Sequence, residues 1–151
     1  MIIYMNFDNL RIKGDVTAKA HLHWIELVSL NYGVSAGSTP GGGVPKNEFE
    51  CVKPTDSASN DLRRELMHSR PATVELHFLE KPDSVNPSYT ILLAKAVLSG
   101  YSVSRTARLE SKKDPWAGRD LERLTFRYAG LTSGSVKATA VNTAPPADVW
   151  R

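Results

Sequence analysis

A mainly β fold, a two-sheet β-barrel of about seven strands with one short α-helix packed on its side, is what this sequence predicts. Three observations carry that prediction. Apolar residues recur with period two through most of the chain, as they do where alternate side chains of a strand point to opposite faces. One stretch alone has helical spacing. No repeat, linker or low-complexity run divides the 151 residues, a length that fits a single domain over residues 1–151.

The elements follow in order. Ile3, Met5 and Phe7 share one face of a first strand, and Leu10 and Ile12 continue apolar until Lys13, Gly14 and Asp15 turn the chain. A second strand alternates Trp24, Glu26, Val28, Leu30 and Tyr32 against Ile25 and Leu27 and ends at Gly33, so both its faces are partly covered. After the glycine-rich GVSAGSTPGGGVPKNE, a third strand sets Phe49 and Cys51 against Glu48, Glu50 and Val52 until Pro54 stops it. In TDSASNDLRRELMHSRP, Asp56 or Ser57 can cap a helix whose Ala58, Leu62 and Leu66 recur at i, i+4 and i+8, and Pro71 prevents continuation. Its opposite face, with Arg63, Arg64 and Glu65, is predicted to meet water or a partner.

Val74, Leu76 and Phe78 point inward from the next strand, which a turn-rich KPDSVNPS closes. YTILLAKAVLSGYSV mixes helix formers with strand formers and reads as one long strand. Leu124, Phe126 and Tyr128 then alternate against Arg123, Thr125 and Arg127. A last strand alternates Val136, Ala138 and Ala140 against Lys137, Thr139 and Val141. Residues 142–151 lack periodicity and are expected to trail the fold as a flexible tail.

Composition narrows the function. With 41% hydrophobic and 23% charged residues the chain has the profile of a soluble globular protein. The net charge of +3 is carried by the second half: residues 1–75 hold eight Lys and Arg against nine Asp and Glu, residues 76–151 eleven against seven. In residues 105–123 the two signs alternate, the pattern of a solvated loop rather than a nucleic-acid groove. A small β-barrel binding nucleic acid with its basic half is the competing reading. Dispersed aromatic residues, 8% of the chain, weaken it, because a single-strand platform clusters its rings among basic residues. Trp24, Phe49, Phe78, Phe126 and Tyr128 read as core. Trp116, in the charged loop, is either a loop anchor or an interface residue. The single Cys51 allows no internal disulfide. The amino terminus has no basic region before an apolar core and no apolar run is long enough to span a bilayer, so synthesis in the cytoplasm without a cleaved signal or membrane insertion is expected.

Motifs for chemistry fail one by one. A phosphate-binding loop needs G-x-x-x-x-G-K-[ST] before a helix, whereas Val44 and Pro45 separate Gly43 from Lys46, Asn47 follows, and a strand comes next. His21 and His23 fall on one face of a predicted strand, an arrangement that can ligate a metal. His68, His77 and Cys51 stand at no ligand spacing to complete a site, so the pair reads as polar positions near a strand edge. No nucleophile elbow is present, and Cys51, within a strand, reads as a small buried hydrophobe. No catalytic residue, metal or cofactor is expected.

The order of elements is informative where chemistry is not. The turn at Ile12 to Gly14, His21 with Trp24, Ile25 and Glu26, the Tyr32-Gly33 pair and the late Leu124-Thr125-Phe126 strand, in that order and spacing, resemble the Hcp (haemolysin-coregulated protein) family of type VI secretion over nearly the whole chain. The resemblance implies a barrel flanked by the helix, assembled as a homohexameric ring with a wide channel. Rings stack into the inner tube that a contractile sheath propels, as in phage tail tubes. It implies sheath, spike and effector proteins as partners, effectors held in the channel, export through the type VI system, and no catalytic residues. It also makes the glycine-rich stretch a loop that reaches neighbouring subunits, so Ser38, Thr39, Pro40, Gly41, Gly42, Gly43 and Val44 are expected subunit contacts. Charges of the later loop can fix orientation across an interface by complementarity, which adds Arg105, Arg108, Lys112, Lys113 and Trp116.

Overall fold

The structure is a computed structural model and describes residues 1–34, 47–104, 116 and 119–135. It contains strands β1 (Ile2–Phe7), β2 (Ile25–Leu27), β3 (Ser29–Val34), β4 (Asn47–Pro54), β5 (Ala72–Leu79), β6 (Tyr89–Ser104), β7 (Leu121–Arg127) and β8 (Gly130–Ser135). One α-helix, α1 (Ser59–His68), and a short 3-10 turn (Lys19–His21) complete it. The mainly β fold with one helix is therefore the one the alternation predicts. Every pairing is antiparallel, in the order β2-β1-β5-β6-β7-β4-β3, with β8 on the free side of β6.

Two strands turn corners and give the barrel its two sheets. The first part of β6 pairs β5 and β8, and the part from Val97 onward pairs β7. The change is made by a bulge: Ala72 faces Ala96 while Val74 faces Leu93, leaving one extra residue on β6. Lys95 takes it up with φ of 53°, a left-handed value uncommon outside glycine, and the buried positions move from Ile91 and Leu93 to Ala96 and Leu98. A single long run of mixed composition thus serves two sheets with both its faces.

The predicted second strand does the same and is two strands. Ile25 and Leu27 pair with β1, Val28 donates its N–H to Val52 O at 2.7 Å, and from Ser29 the chain pairs with β4. Inward positions switch from Ile25 and Leu27 to Leu30 there, the reason both faces of that sequence are apolar. At the other end of the chain, β8 occupies GLTSGS, where small and polar residues leave no alternation to read. The expected last strand over 136–141 and the tail over 142–151 lie outside the described residues.

The core fills the barrel. Met5, Phe7, Phe49, Phe126, Leu76 and Leu93 are fully buried, each contributing about 1.5–3 kcal/mol relative to exposure. Ala58 and Leu62 carry α1 onto this core and Leu66 is partly buried against it, as the spacing predicts. Ser69 closes the helix at φ of 51°, its N–H bonded to Glu65 O. The amino end differs from expectation in detail: Ala58 stands at the cap, and Asp56 Oδ1 accepts the Ala58 N–H at 3.0 Å one step earlier.

Candidate assembly surface

Ser38, Thr39, Pro40, Gly41, Gly42, Gly43, Val44, Arg105, Arg108, Lys112 and Lys113 lie outside the described residues, and Trp116 lies within them. The strands that carry these segments have defined ends. β3 and β4 finish at Val34 opposite Asn47, and β6 and β7 finish at Ser104 opposite Leu121. Across the β4–β7 ladder Glu48 pairs with Arg127 and Pro54 with Leu121. The two candidate segments therefore leave the same sheet at opposite ends.

Edges are the second geometric feature. Among the described residues β3 pairs only with β4, and β8 only with β6, so each presents a row of backbone groups beyond the ladder. Tyr32 on β3 is 37% exposed and its ring stacks at 6.1 Å on the buried Phe49.

Trp116 is half-buried in a turn tied to the barrel. Its carbonyl accepts the Arg119 N–H at 3.1 Å, and the Arg119 guanidinium lies 5.5 Å from its ring centroid. Arg119 Nη2 donates to Thr55 O at 3.2 Å, and Thr55 N–H to Asp120 O at 3.1 Å. This geometry supports the loop-anchor alternative.

Beneath that turn lies an ion network that the sequence reading passed over. Lys53, 0% exposed, donates to Glu122 Oε1 at 2.7 Å, Pro54 O at 2.9 Å and Ser59 Oγ at 3.2 Å, and pairs with Asp56 Oδ1 at 2.8 Å. Ser59 and Thr55 hydroxyls donate to the two oxygens of Glu122. Burial pushes the Glu122 carboxyl up, but bonds from Lys53, Ser59 and Tyr101 outweigh it and hold the group below its ordinary range. For Asp56 burial wins over Lys53, and its carboxyl is raised. Of two acids sharing one lysine, Glu122 is the one whose charged form its surroundings favour. The network joins β4, β7 and the start of α1 at the end of the sheet from which residues 105–120 depart. The signal was available: Lys53 has the inward parity of Phe49 and Cys51, and Glu122 that of Leu124 and Phe126.

Two expectations need correction. Glu65 is buried, not on the water-facing side of α1: it accepts both Arg11 guanidinium nitrogens, at 2.9 and 3.1 Å, and Arg70 at 3.0 Å. Three residues after Leu62, it sits on the inward flank, and the bond from Arg11 sets its carboxyl low against the burial that raises it. His21 and His23 are not on a strand. His21 is buried in the 3-10 turn and bonds His77 at 2.9 Å, and His23 is exposed with φ of 72°. Among the described residues no three His, Cys, Asp or Glu stand where they could hold a metal. Cys51 is the buried hydrophobe expected, its thiol pushed up to about 12 by burial. Among the described residues no helix is long and apolar enough to cross a membrane.

The chain is similar in fold to several solved structures. It matches Hcp1 from Salmonella typhimurium with a TM-score of 0.70 at 14% identity, over 89% of this chain and 85% of that one. A mutant form of Hcp1 from the E. coli EAEC 042 pathovar matches with a TM-score of 0.69 at 16% identity, over 90% and 92%. The secreted protein Hcp3 from Pseudomonas aeruginosa matches with a TM-score of 0.64 at 18% identity, over 91% and 93%. At such identities the likeness is one of fold. No curated protein matches in sequence. The family model described as type VI secretion system effector, Hcp, matches residues 4–133, from β1 into β8, and with that span the chain belongs to the Hcp family of type VI secretion.

Proposed function

We propose that this chain is a structural subunit of the type VI inner tube, closing into a homohexameric ring whose stacked copies form the tube. Hcp proteins are tube components rather than enzymes. In this reading the channel carries or chaperones effector proteins, the subunit meets sheath and spike proteins, and it leaves the cell through the system itself, without a signal peptide. The residues over 1–151 act as one barrel domain.

The observation that carries the reading is that, among the described residues, β3 and β8, like β2, pair on one side only, on a barrel of this family. Unpaired strand edges invite association, and a ring covers them when the rotation between head-to-tail copies closes. Segments 35–46 and 105–118 leaving opposite ends of one sheet support contacts in two directions: Ser38 through Val44 toward one neighbour, the charged loop that Trp116 anchors toward another.

Sedimentation of the full chain and electron microscopy of the same sample test this. Six-membered rings or tubes are expected, and a strictly monomeric species at micromolar concentration overturns the reading. Deleting residues 38–44 is expected to leave a folded barrel with impaired ring or tube assembly. Unchanged assembly would reduce that stretch to a slack linker.

A further inference from the structure

The outer face of the β1, β2 and β5 sheet carries a second, smaller core. Tyr4 of β1 and Leu79 of β5 are buried in it with Val16 and Trp24 of the strap of residues 13–24, which leads from β1 to β2. The strap is folded on itself by Gly14 N–H to His23 O at 2.8 Å, Val16 N–H to Trp24 O at 3.1 Å and His23 N–H to Val16 O at 2.8 Å. Its side chain toward β5 is His21, which is 1% exposed and lies between the rings of Trp24, at 4.7 Å, and Tyr4, at 5.3 Å. His21 Nε2 meets His77 Nδ1 at 2.9 Å, and His77 Nε2 meets Glu75 Oε2 at 2.9 Å.

The proton count of this chain follows from who can donate. An ionised carboxylate only accepts, so His77 Nε2 carries its proton toward Glu75 and His77 Nδ1 is left to accept from His21 Nε2–H. One added proton keeps the ring-to-ring bond: it goes to His77 Nδ1, which then donates to His21 Nε2, while the His21 proton moves to Nδ1, a buried atom without a hydrogen-bond partner among the described residues. A second added proton does not fit: two N–H groups then face each other across 2.9 Å with no lone pair between them, and two cations share a buried site.

We infer that the His21–His77 pair is an acid-sensitive latch, and that its double protonation opens the strap of residues 13–24 and uncovers Tyr4 and Leu79. Other groups do not relieve the second charge. Glu75 is the one carboxylate paired with either ring among the described residues. Glu26 on β2 and Asp83 beyond β5 act on Tyr4, whose hydroxyl is turned to Pro82 O, and Lys19 and His23 of the strap are exposed. Burial, with His77 adding to it and Glu75 opposing, sets the His21 pKa below the ordinary 6.5. The sign is that of a base buried neutral: stability is complete above about 6.5 and is lost as pH falls through the lowered folded value.

With one more proton on the open form than on the closed one, opening gains roughly tenfold per pH unit below the ordinary histidine value. Amide hydrogen exchange of the full chain, expressed as protection factors, reads this directly. Between about pH 8 and about pH 5 the amides of Gly14, Val16, His23 and Trp24 are expected to lose roughly thirtyfold in protection while those of the β5–β6 ladder hold. His21→Phe keeps a ring against Trp24 and takes no proton, and His77→Gln keeps an acceptor for His21 without a second cation. In each the loss is expected to shrink to about threefold or less. The inference is overturned by wild-type protection that does not change with pH, by a loss that persists in whichever variants fold, or by an equal loss throughout the barrel.

Discussion

Replacing Glu122 by Gln removes the charge that faces Lys53 where neither side chain can reach water. Their 2.7 Å separation corresponds to an attraction of about 6 kcal/mol at an effective dielectric near 20, against which stands the desolvation that Glu122 no longer suffers once neutral. Breaking a buried pair at one partner costs about 3–5 kcal/mol, and because Asp56 remains 2.8 Å from Lys53 the lower end, about 3 kcal/mol, is expected. Lys53→Met is expected to cost as much or more, since it leaves two buried acids, Glu122 and Asp56, without their cation. In Lys53→Met/Glu122→Gln only the Asp56 carboxylate is left without its cation, and the amide oxygen still accepts from one of the Ser59 and Thr55 hydroxyls, so the double variant should lose at least about 2 kcal/mol less than the sum of the singles. The assay is equilibrium urea unfolding by circular dichroism at one fixed protein concentration, since self-association adds apparent stability. A Glu122→Gln variant within about 1 kcal/mol of wild type, or strict additivity of the two changes, would refute the reasoning.

Gly14→Ala puts a Cβ within 2.6 Å of Trp24 O and 2.8 Å of Ile25 Cα, backbone atoms that cannot yield, so a loss of about 1–3 kcal/mol in urea unfolding is expected. Glu65→Gln should cost about 2 kcal/mol at neutral pH. Because the Glu65 carboxyl is held low by Arg11, that contribution is present above the ordinary 4.5 and is lost as pH falls through the lowered value, so wild type and variant should converge in acid melts. Cys51, fully buried with its thiol near 12, should stay unmodified by an aromatic disulfide reagent in the native protein and react at once in denaturant.

Much of the barrel was legible because period two maps directly onto faces. Ile3, Met5 and Phe7, then Val74 and Leu76, then Leu124 and Phe126, needed only their spacing to be placed inside or at its margin. Spacing is blind to corners. A bulge at Lys95 and a step at Val28 each reverse the parity, so one strand looked like two faces of a single sheet when it belonged to two sheets. It is equally blind to strands of small polar residues such as β8, which exist because β6 has a free side to pair.

The candidate contact segments were legible as glycine-rich and charged stretches, yet most of their residues stand outside the described structure, and Trp116 alone received a setting there. The early Ile12 to Gly14 turn was legible as a pattern, while its physical cause, backbone within 3 Å of the missing Cβ, needed coordinates. Family and fold class were thus determined by residue order and alternation, because those depend on local side-chain direction. The partners of Lys53, Glu65 and His21 were decided by tertiary structure alone. A charged residue with inward parity states that a counterpart must exist, and only the packing of strands, turns and helix 54 to 69 residues apart supplies Glu65 to Arg11, His77 to His21 and Glu122 to Lys53.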